Sequence, residues 1–387
     1  MSLVPDHLIP VHCEQLEPGM FVAELDRSWL HTPFDRRGFT ITHAAQIEVL
    51  RRCCDYVYID PAQSDELAVM GLDAILDLRA DEPSRPSEDE LLQLNGCREV
   101  LRDANDRIGE MVRAARRIGR LEVSPIDDNL DAFVEHVLDW PDAIQWLLMT
   151  EPAHGHLNRR SVGTAVFSIL FGQQLGLDRV ALRDLAFGAL VLDIGKTSVP
   201  ITILSKPKRL NSVERSFARR HVDDGLHLAQ LSARMKRRAV DMIAAHHERM
   251  DGSGYPRHMN GTEIPFFARI AAIADTYDAM TQDRSYADAR SGHEALRHLN
   301  TWRDSKFDAA LVDEFILAIG VYPVGTSVKL MDNSVGVVCR QNSGDPKRPD
   351  VLLTRDSGGR ALKTMLVIEP TLSRRIERAL PAALMTH

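Results

Sequence analysis

The amino-acid sequence predicts a multidomain protein: an all-α helical bundle, preceded by a small α+β domain and followed by a small β appendage. Three observations carry this. Helical patterning dominates from about Asp127 to Ile319 without alternation of strand and helix, which disfavours a doubly wound sheet. Before it, short apolar runs are punctuated by Gly19 and Pro33; after Gly320, β-branched residues alternate or cluster between turn signals. A length of 387 residues also exceeds one domain at roughly 100 to 200 residues each.

The elements follow in order. Residues 1–80 hold the runs Met20-Phe21-Val22 and Tyr56-Val57-Tyr58-Ile59, with a short helix expected over Ile47 to Cys54. Asp81 to Ser87 (DEPSRPS) has the polar, proline-containing texture of a linker, so 81–145 is expected as a helical linker. Its main helix runs from Ser87, with Glu90 completing a capping box, to Ile118, and places Leu91, Leu94, Val100, Leu101, Ile108 and Met111 on one face. Residues 146–320 form the bundle, with long helical stretches Ser161 to Leu175, Val180 to Leu192 and Ser212 to Arg237. Residues 321–387 form the β-rich appendage, where Ser327 to Leu330 and Val335 to Val338 alternate with the turns Asp332-Asn333 and Gly344-Asp345.

Composition excludes several classes. Forty-seven Lys and Arg against 55 Asp and Glu give a net charge of −8, unlike the basic footprint of a whole-chain DNA binder. A hydrophobic content of 44% with 26% charged residues is that of a globular chain. The longest apolar stretches fall short of the roughly 18 to 20 residues of a membrane span, and no secretory pattern opens the chain. A cytoplasmic location is expected. The five cysteines are scattered without a CxxC pair and read as reduced thiols.

The chemistry concentrates in residues 188–284, where Asp193, His221, His246, His247 and Asp275 are interspersed with Lys196 and Arg284. Imidazole and carboxylate ligands suit iron, manganese, zinc or nickel. The pair His246-His247 closes an apolar-periodic helix and precedes the turn Asp251 to Gly254. Adjacent helical side chains diverge by about 100°, so both reach one polar site only near a helix end. Singly, a histidine is more often a packed core residue, and a lone Lys196 or Arg284 is as readily a solvated charge or structural ion pair.

The string His246-His247-Glu248-Arg249-Met250-Asp251-Gly252-Ser253-Gly254-Tyr255-Pro256 matches the HHExxDGxGYP signature at all eight fixed positions. The chain resembles the HD-GYP domains, a branch of the HD phosphohydrolase superfamily. Asp193-Ile194-Gly195-Lys196, Lys206-Pro207, His221, Gly225, Ala274-Asp275, Asp283-Arg284 and Phe307-Asp308 stand in the family's order. The resemblance covers roughly 150–325. Residues 1 to about 140 resemble a domain of unknown function that often precedes HD-GYP domains, through Glu17-Pro18-Gly19-Met20, Leu25-Asp26 and the stretch from Trp29 to Phe39.

The resemblance implies a metal-dependent phosphodiesterase acting on cyclic di-GMP, with iron or manganese as the cofactor. It implies Asp193, His221, His246, His247 and Asp275 as metal ligands, Asp193 and Lys196 as catalytic groups, and Arg284, Gly254 and Tyr255 as substrate contacts. It further implies docking of GGDEF diguanylate cyclases on the Tyr255-Pro256 loop. A homodimer is left open.

The family pattern is broken at named positions. Leu192 stands where the family's HD histidine belongs, an earlier ligand histidine falls on Arg160, and a glutamate before it falls on His156. Ala287 replaces a basic residue that many relatives place there. The metal shared by the first histidine, the HD pair and the late aspartate then keeps only Asp193 and Asp275, whereas the second keeps Asp193, His221, His246 and His247. The expectation is a degenerate member with one retained metal, weak or absent hydrolysis and a role in binding ligand or partner. The alternative is an active phosphodiesterase with substitute ligands.

Overall fold

A computed structural model describes residues 8–13, 16–25, 33–34, 38–54, 56–65, 68, 88–150, 156–206, 208–232, 234–282, 290–342, 345, 347–370 and 374–381. The chain divides into two compact units, residues 1–83 with 368–375 and residues 84–367 with 376–387.

The first unit is built on an antiparallel sheet of β1 (Ile9–His12), β2 (Phe21–Leu25), β3 (Phe39–Thr40) and β4 (Tyr56–Ile59), in the order β1-β4-β2-β3. Val57 and Ile59 alternate inward along β4, as a half-buried strand requires. Between β3 and β4 lies α1 (Ala44–Cys53), which joins this core through Ile47 and Leu50. The small α+β reading of this region is what the structure contains.

The second unit opens with α2 (Glu88–Ile118), α3 (Ser124–Asp127), α4 (Leu130–Asp139) and α5 (Pro141–Thr150). Ser87 and its expected cap lie outside the described residues. Read from sequence as a connector, α2 has Cys97, Ala104, Ile108, Met111 and Ala115 buried at helical spacing, in the same core as the helices that follow.

Helices α6 (His156–Gln174), α7 (Arg179–Val191), α8 (Ile201–Leu204), α9 (Ser212–Arg219), α10 (His221–Gln230), α11 (Arg237–Ala245), α12 (Phe266–Thr281), α13 (Gly292–Thr301) and α14 (Ala309–Ile319) complete the bundle. At its centre α6 packs on α7 and α12. Small buried residues of α12 (Ala268, Ala271, Ala272, Ala274) permit close approach, and Tyr277 meets Phe167 and Phe315 edge-on at 4.8 and 5.3 Å.

The stretch Ser212 to Arg237 is not one helix. It breaks at Arg220, and again after Gln230, with Lys236 extended at φ −78° and ψ 143° just before α11. Burial of His221, Val222 and Gly225 overrides the local preference for continuous helix. That burial is made against a 3₁₀ turn, Ile194–Ser198. A Cβ at Gly195 would lie 1.8 Å from the His221 carbonyl oxygen and 2.5 Å from the Gly225 nitrogen. Backbone therefore packs on backbone, which places Asp193, just before the turn, beside the start of α10.

The chain then forms a sheet of β5 (Ser327–Leu330), β6 (Val335–Arg340), β7 (Asp350–Arg355), β8 (Ala361–Ile368) and β9 (Ile376–Ala379), ordered β8-β7-β6-β5-β9 and antiparallel from β9 through β7. The turn between β5 and β6 uses Asn333 at φ +71°, with the Asp332 carboxylate accepting from the Ser334 amide at 2.8 Å. Gly344, expected in a second turn, lies outside the described residues. Among the described residues no helix is long and apolar enough to cross a membrane.

Gly195→Ala is expected to destabilise the protein by at least about 2 kcal/mol, because neither backbone neighbour can withdraw without moving α10. A thermal melt within about one degree of wild type would show the contact to be dispensable.

Candidate metal centre

Each polar group of the centre is delivered by the end of an element. Leu192 ends α7 and Asp193 follows; His221 is the first residue of α10; His246 caps α11 and His247 comes next. One potential ligand atom from each of Asp193, His221, His246 and His247 lies within 4.8 Å of the others. The His246 and His247 rings are 4.0 Å apart, as two consecutive side chains at a helix end can be.

Hydrogen bonding orients the rings. Nδ1 of His221 lies 2.6 Å from the Ala218 carbonyl oxygen, and Nδ1 of His246 lies 3.1 Å from those of Met242 and Ile243. A carbonyl only accepts, so each Nδ1 carries a proton, and in the neutral ring each Nε2 then presents a lone pair. Those Nε2 atoms face Asp193 Oδ1 at 3.3 and 3.7 Å without forming hydrogen bonds, and all three atoms are buried without a hydrogen-bond partner. Lone pairs turned toward a carboxylate repel one another unless a cation lies among them. This donor set fits a divalent transition-metal ion, with iron, manganese, zinc and nickel all suited to imidazole and carboxylate ligands.

The local charges agree with that fit. Burial pushes the Asp193 carboxyl up, but Lys196 foremost, with Arg160, holds it well below the usual carboxylate range. Lys196 makes an ion pair with the other Asp193 oxygen, Oδ2. Burial lowers His221 to about 4 against the opposing pull of Asp193, and burial with the neighbouring imidazoles lowers His247 well below the ordinary histidine range. Neutral imidazole is the ligating form.

A second charged group lies beside this one. Arg160, from α6, donates through Nη2 to Asp275 Oδ1 of α12 at 2.5 Å. Burial opposes the charge of Asp275, but Arg160 outweighs it and its carboxyl stays below the ordinary range. Asp278, one turn further along α12, is buried with Oδ2 unpartnered, and burial pushes it up to about 7 despite Arg160.

The loop after His247 is held by Glu248, which is 2% exposed and accepts from the amides of Arg257 at 2.7 Å and Met259 at 3.1 Å. A Cβ at Gly254 would lie 2.4 Å from Glu248 Cα, so the loop folds back on its own start only with glycine there. This return stacks the Tyr255 ring on His247, with centroids 4.6 Å apart and planes 26° apart. The Arg219 guanidinium lies 4.6 Å from the centroid of the same tyrosine ring.

Comparison with known proteins accords with this geometry. Residues 144–311 match the HD domain family, and residues 8–126 match a domain of unknown function, DUF3391. The chain is 32% identical over 351 residues to the cyclic di-GMP phosphodiesterase PA4108 of Pseudomonas aeruginosa, covering 89% of this chain and 84% of that protein. The chain belongs to the HD-GYP family. Its likeness to the 3'3'-cGAMP-specific phosphodiesterase 2 of Vibrio cholerae is 37% over 132 residues, 32% of this chain and 25% of that protein. In fold it is similar to Bd1817, a HDG"Y"P protein from Bdellovibrio bacteriovorus, with a TM-score of 0.50 and 14% identity over 80% of this chain and 98% of that one.

In this HD-GYP chain the fold brings together Asp193, Lys196, His221, His246, His247 and Tyr255. Asp275 is not in the four-residue group; the cation against it is Arg160. Gly254 serves loop closure through its missing side chain. Arg284 and Ala287 lie outside the described residues, as does the His156 side chain. Sequence reasoning passed over two residues. Glu248 was visible as the third letter of the HHE string, while Arg219 had no local signal, because only α9 folding against the loop reveals it.

The His221 shift sets a pH dependence for the metal-free protein. The unfolded chain binds a proton at about 6.5 and the folded one at about 4, so stability is lost as pH falls between these values. Relative to His221→Gln, metal-free wild type is expected to lose a few kcal/mol over that window. Parallel stability curves for the two proteins in chemical denaturation would contradict the burial of a neutral ring.

Proposed function

We propose that this HD-GYP protein acts in cyclic di-GMP signalling with one retained metal site, weak or absent phosphodiesterase activity, and a role exerted through ligand or partner binding. The Arg160–Asp275 ion pair carries this reading. By resemblance, Arg160 and Leu192 stand where two ligand histidines of the first metal belong. Leu192 is buried in the core and has no lone pair, and a guanidinium has donors only. The pair neutralises Asp275 with a charge that cannot activate water.

The four residues Asp193, His221, His246 and His247 would hold the retained ion, iron or manganese. Bound there, it would polarise a phosphodiester and neutralise its charge. Lys196 and Arg284 are the cations assigned to phosphate, and Tyr255 with Gly254 shapes the ligand wall. Two-metal hydrolysis deprived of one ion loses several kcal/mol of transition-state stabilisation, at about 1.36 kcal/mol per tenfold in rate. The same reading assigns docking of GGDEF diguanylate cyclases to the 251–256 loop, whose Asp251 and Ser253 are exposed. A second reading, an active cyclic di-GMP phosphodiesterase, is favoured by the name of the Pseudomonas relative and its 84% coverage.

Anaerobic purification with iron, then manganese, followed by metal analysis and a cyclic di-GMP hydrolysis assay separates the two readings. The expected result is about one ion per chain, lost in His246→Ala, with no turnover. A linear dinucleotide produced by wild type and abolished in His246→Ala establishes the enzyme instead.

Restoring the missing ligands is the converse test. Arg160→His with Leu192→His is expected to raise the content to about two ions and to bring measurable hydrolysis. A folded double variant that stays at one ion would show that the first site was not lost through these two positions.

A further inference from the structure

The cations that line the centre are not equally available. Lys196 is paired with Asp193, Arg160 with Asp275, and Arg249 donates to the carbonyl oxygens of His246 and Glu248 at 3.1 and 2.7 Å. Arg219 differs: it is exposed, and among the described residues no carboxylate pairs with it. Its position is nevertheless set by the ring of Tyr255, 4.6 Å away.

That ring is a partition. One face is filled by stacked His247, so the guanidinium stands over the other. Arg219 therefore sits one aromatic layer away from a ring of the metal centre, with its planar fork exposed. Around it, residues 206–220 carry Lys206, Lys208, Arg209, Arg215, Arg219 and Arg220 against the single acid Glu214, in a chain whose net charge is −8. Glu214 is already engaged by Lys206 at 2.6 Å. The segment is locally positive and favours anions near Arg219, with Asp223 and Asp224 following in the first turn of α10.

A cyclic dinucleotide carries two phosphodiester groups on opposite sides of its ring. Resting on the cyclic dinucleotide reading above, we propose that Arg219 anchors the second phosphodiester of the ligand while the first lies at the metal centre. The planar fork suits bidentate contact with two phosphate oxygens, and stacking on Tyr255 reduces the side-chain freedom lost on binding. Arg219 then selects for ligands with two phosphodiesters over mononucleotides.

The test is calorimetric titration of the manganese-loaded full chain with cyclic di-GMP and, separately, with GMP, for wild type, Arg219→Ala and Arg219→Lys. Arg219→Ala is expected to weaken cyclic di-GMP binding about tenfold, to leave GMP binding and metal content unchanged, and to reduce the salt dependence of binding. Arg219→Lys is expected to recover only part of the loss, because a point charge replaces the fork. Equal cyclic di-GMP affinity in wild type and Arg219→Ala overturns the assignment. So does an equal loss for both ligands, which would make Arg219 a general attractor. If metal-loaded wild type binds no cyclic di-GMP, the functional reading falls and this inference with it.

Discussion

The centre depends on one buried carboxylate serving two sides. Asp193 gives Oδ2 to Lys196 and turns Oδ1 toward the Nε2 atoms of His221 and His246. An isolated buried carboxylate would take up a proton, whereas the surrounding cations keep this one ionised. Its place is fixed by backbone geometry, since Gly195 lets the turn after Asp193 lie directly on α10. The end of α11 then contributes two more imidazoles. Three separate elements meet at one point only because the bundle core holds them there.

The positive charge that stands beside this group is of a different kind from a metal ion. A metal ion has open coordination and accepts electron pairs; the Arg160 guanidinium has neither property, though it satisfies Asp275 as an ion pair. A fixed internal cation keeps the local fold neutralised without any bound ion. The pair thus balances the charge of Asp275 without offering an electron-pair acceptor. Asp278, pushed up to about 7 by burial beneath the same arginine, shows that this balance is local, because one guanidinium does not serve two carboxylates equally.

The loop that gives the family part of its name acts as a wall of the centre. Glu248 gathers its amides, Gly254 closes it on its own beginning, and Tyr255 is thereby stacked on His247. A neutral, half-buried imidazole on one side and an exposed arginine on the other give the tyrosine ring two different neighbourhoods. The proposed metal ligands and the proposed ligand anchor are separated by the thickness of that ring.

Much of this was legible in the chain itself. Helical patterning announced the bundle, β-branched clusters announced the terminal sheets, and the HHExxDGxGYP string marked His246, His247 and the loop. The replacements at 160 and 192 were likewise visible, because a missing lone pair is a property of the residue alone. Other features needed the tertiary structure. Ser212 to Arg237 carries a continuous helical pattern, yet burial of His221 and Gly225 against a turn nearly thirty residues earlier breaks it. The pairing of Arg160 with Asp275, and the seat of Arg219 on Tyr255, join residues far apart in sequence. Residue type and local period are written in the order of the chain, whereas which charge meets which ring is decided by how helices pack.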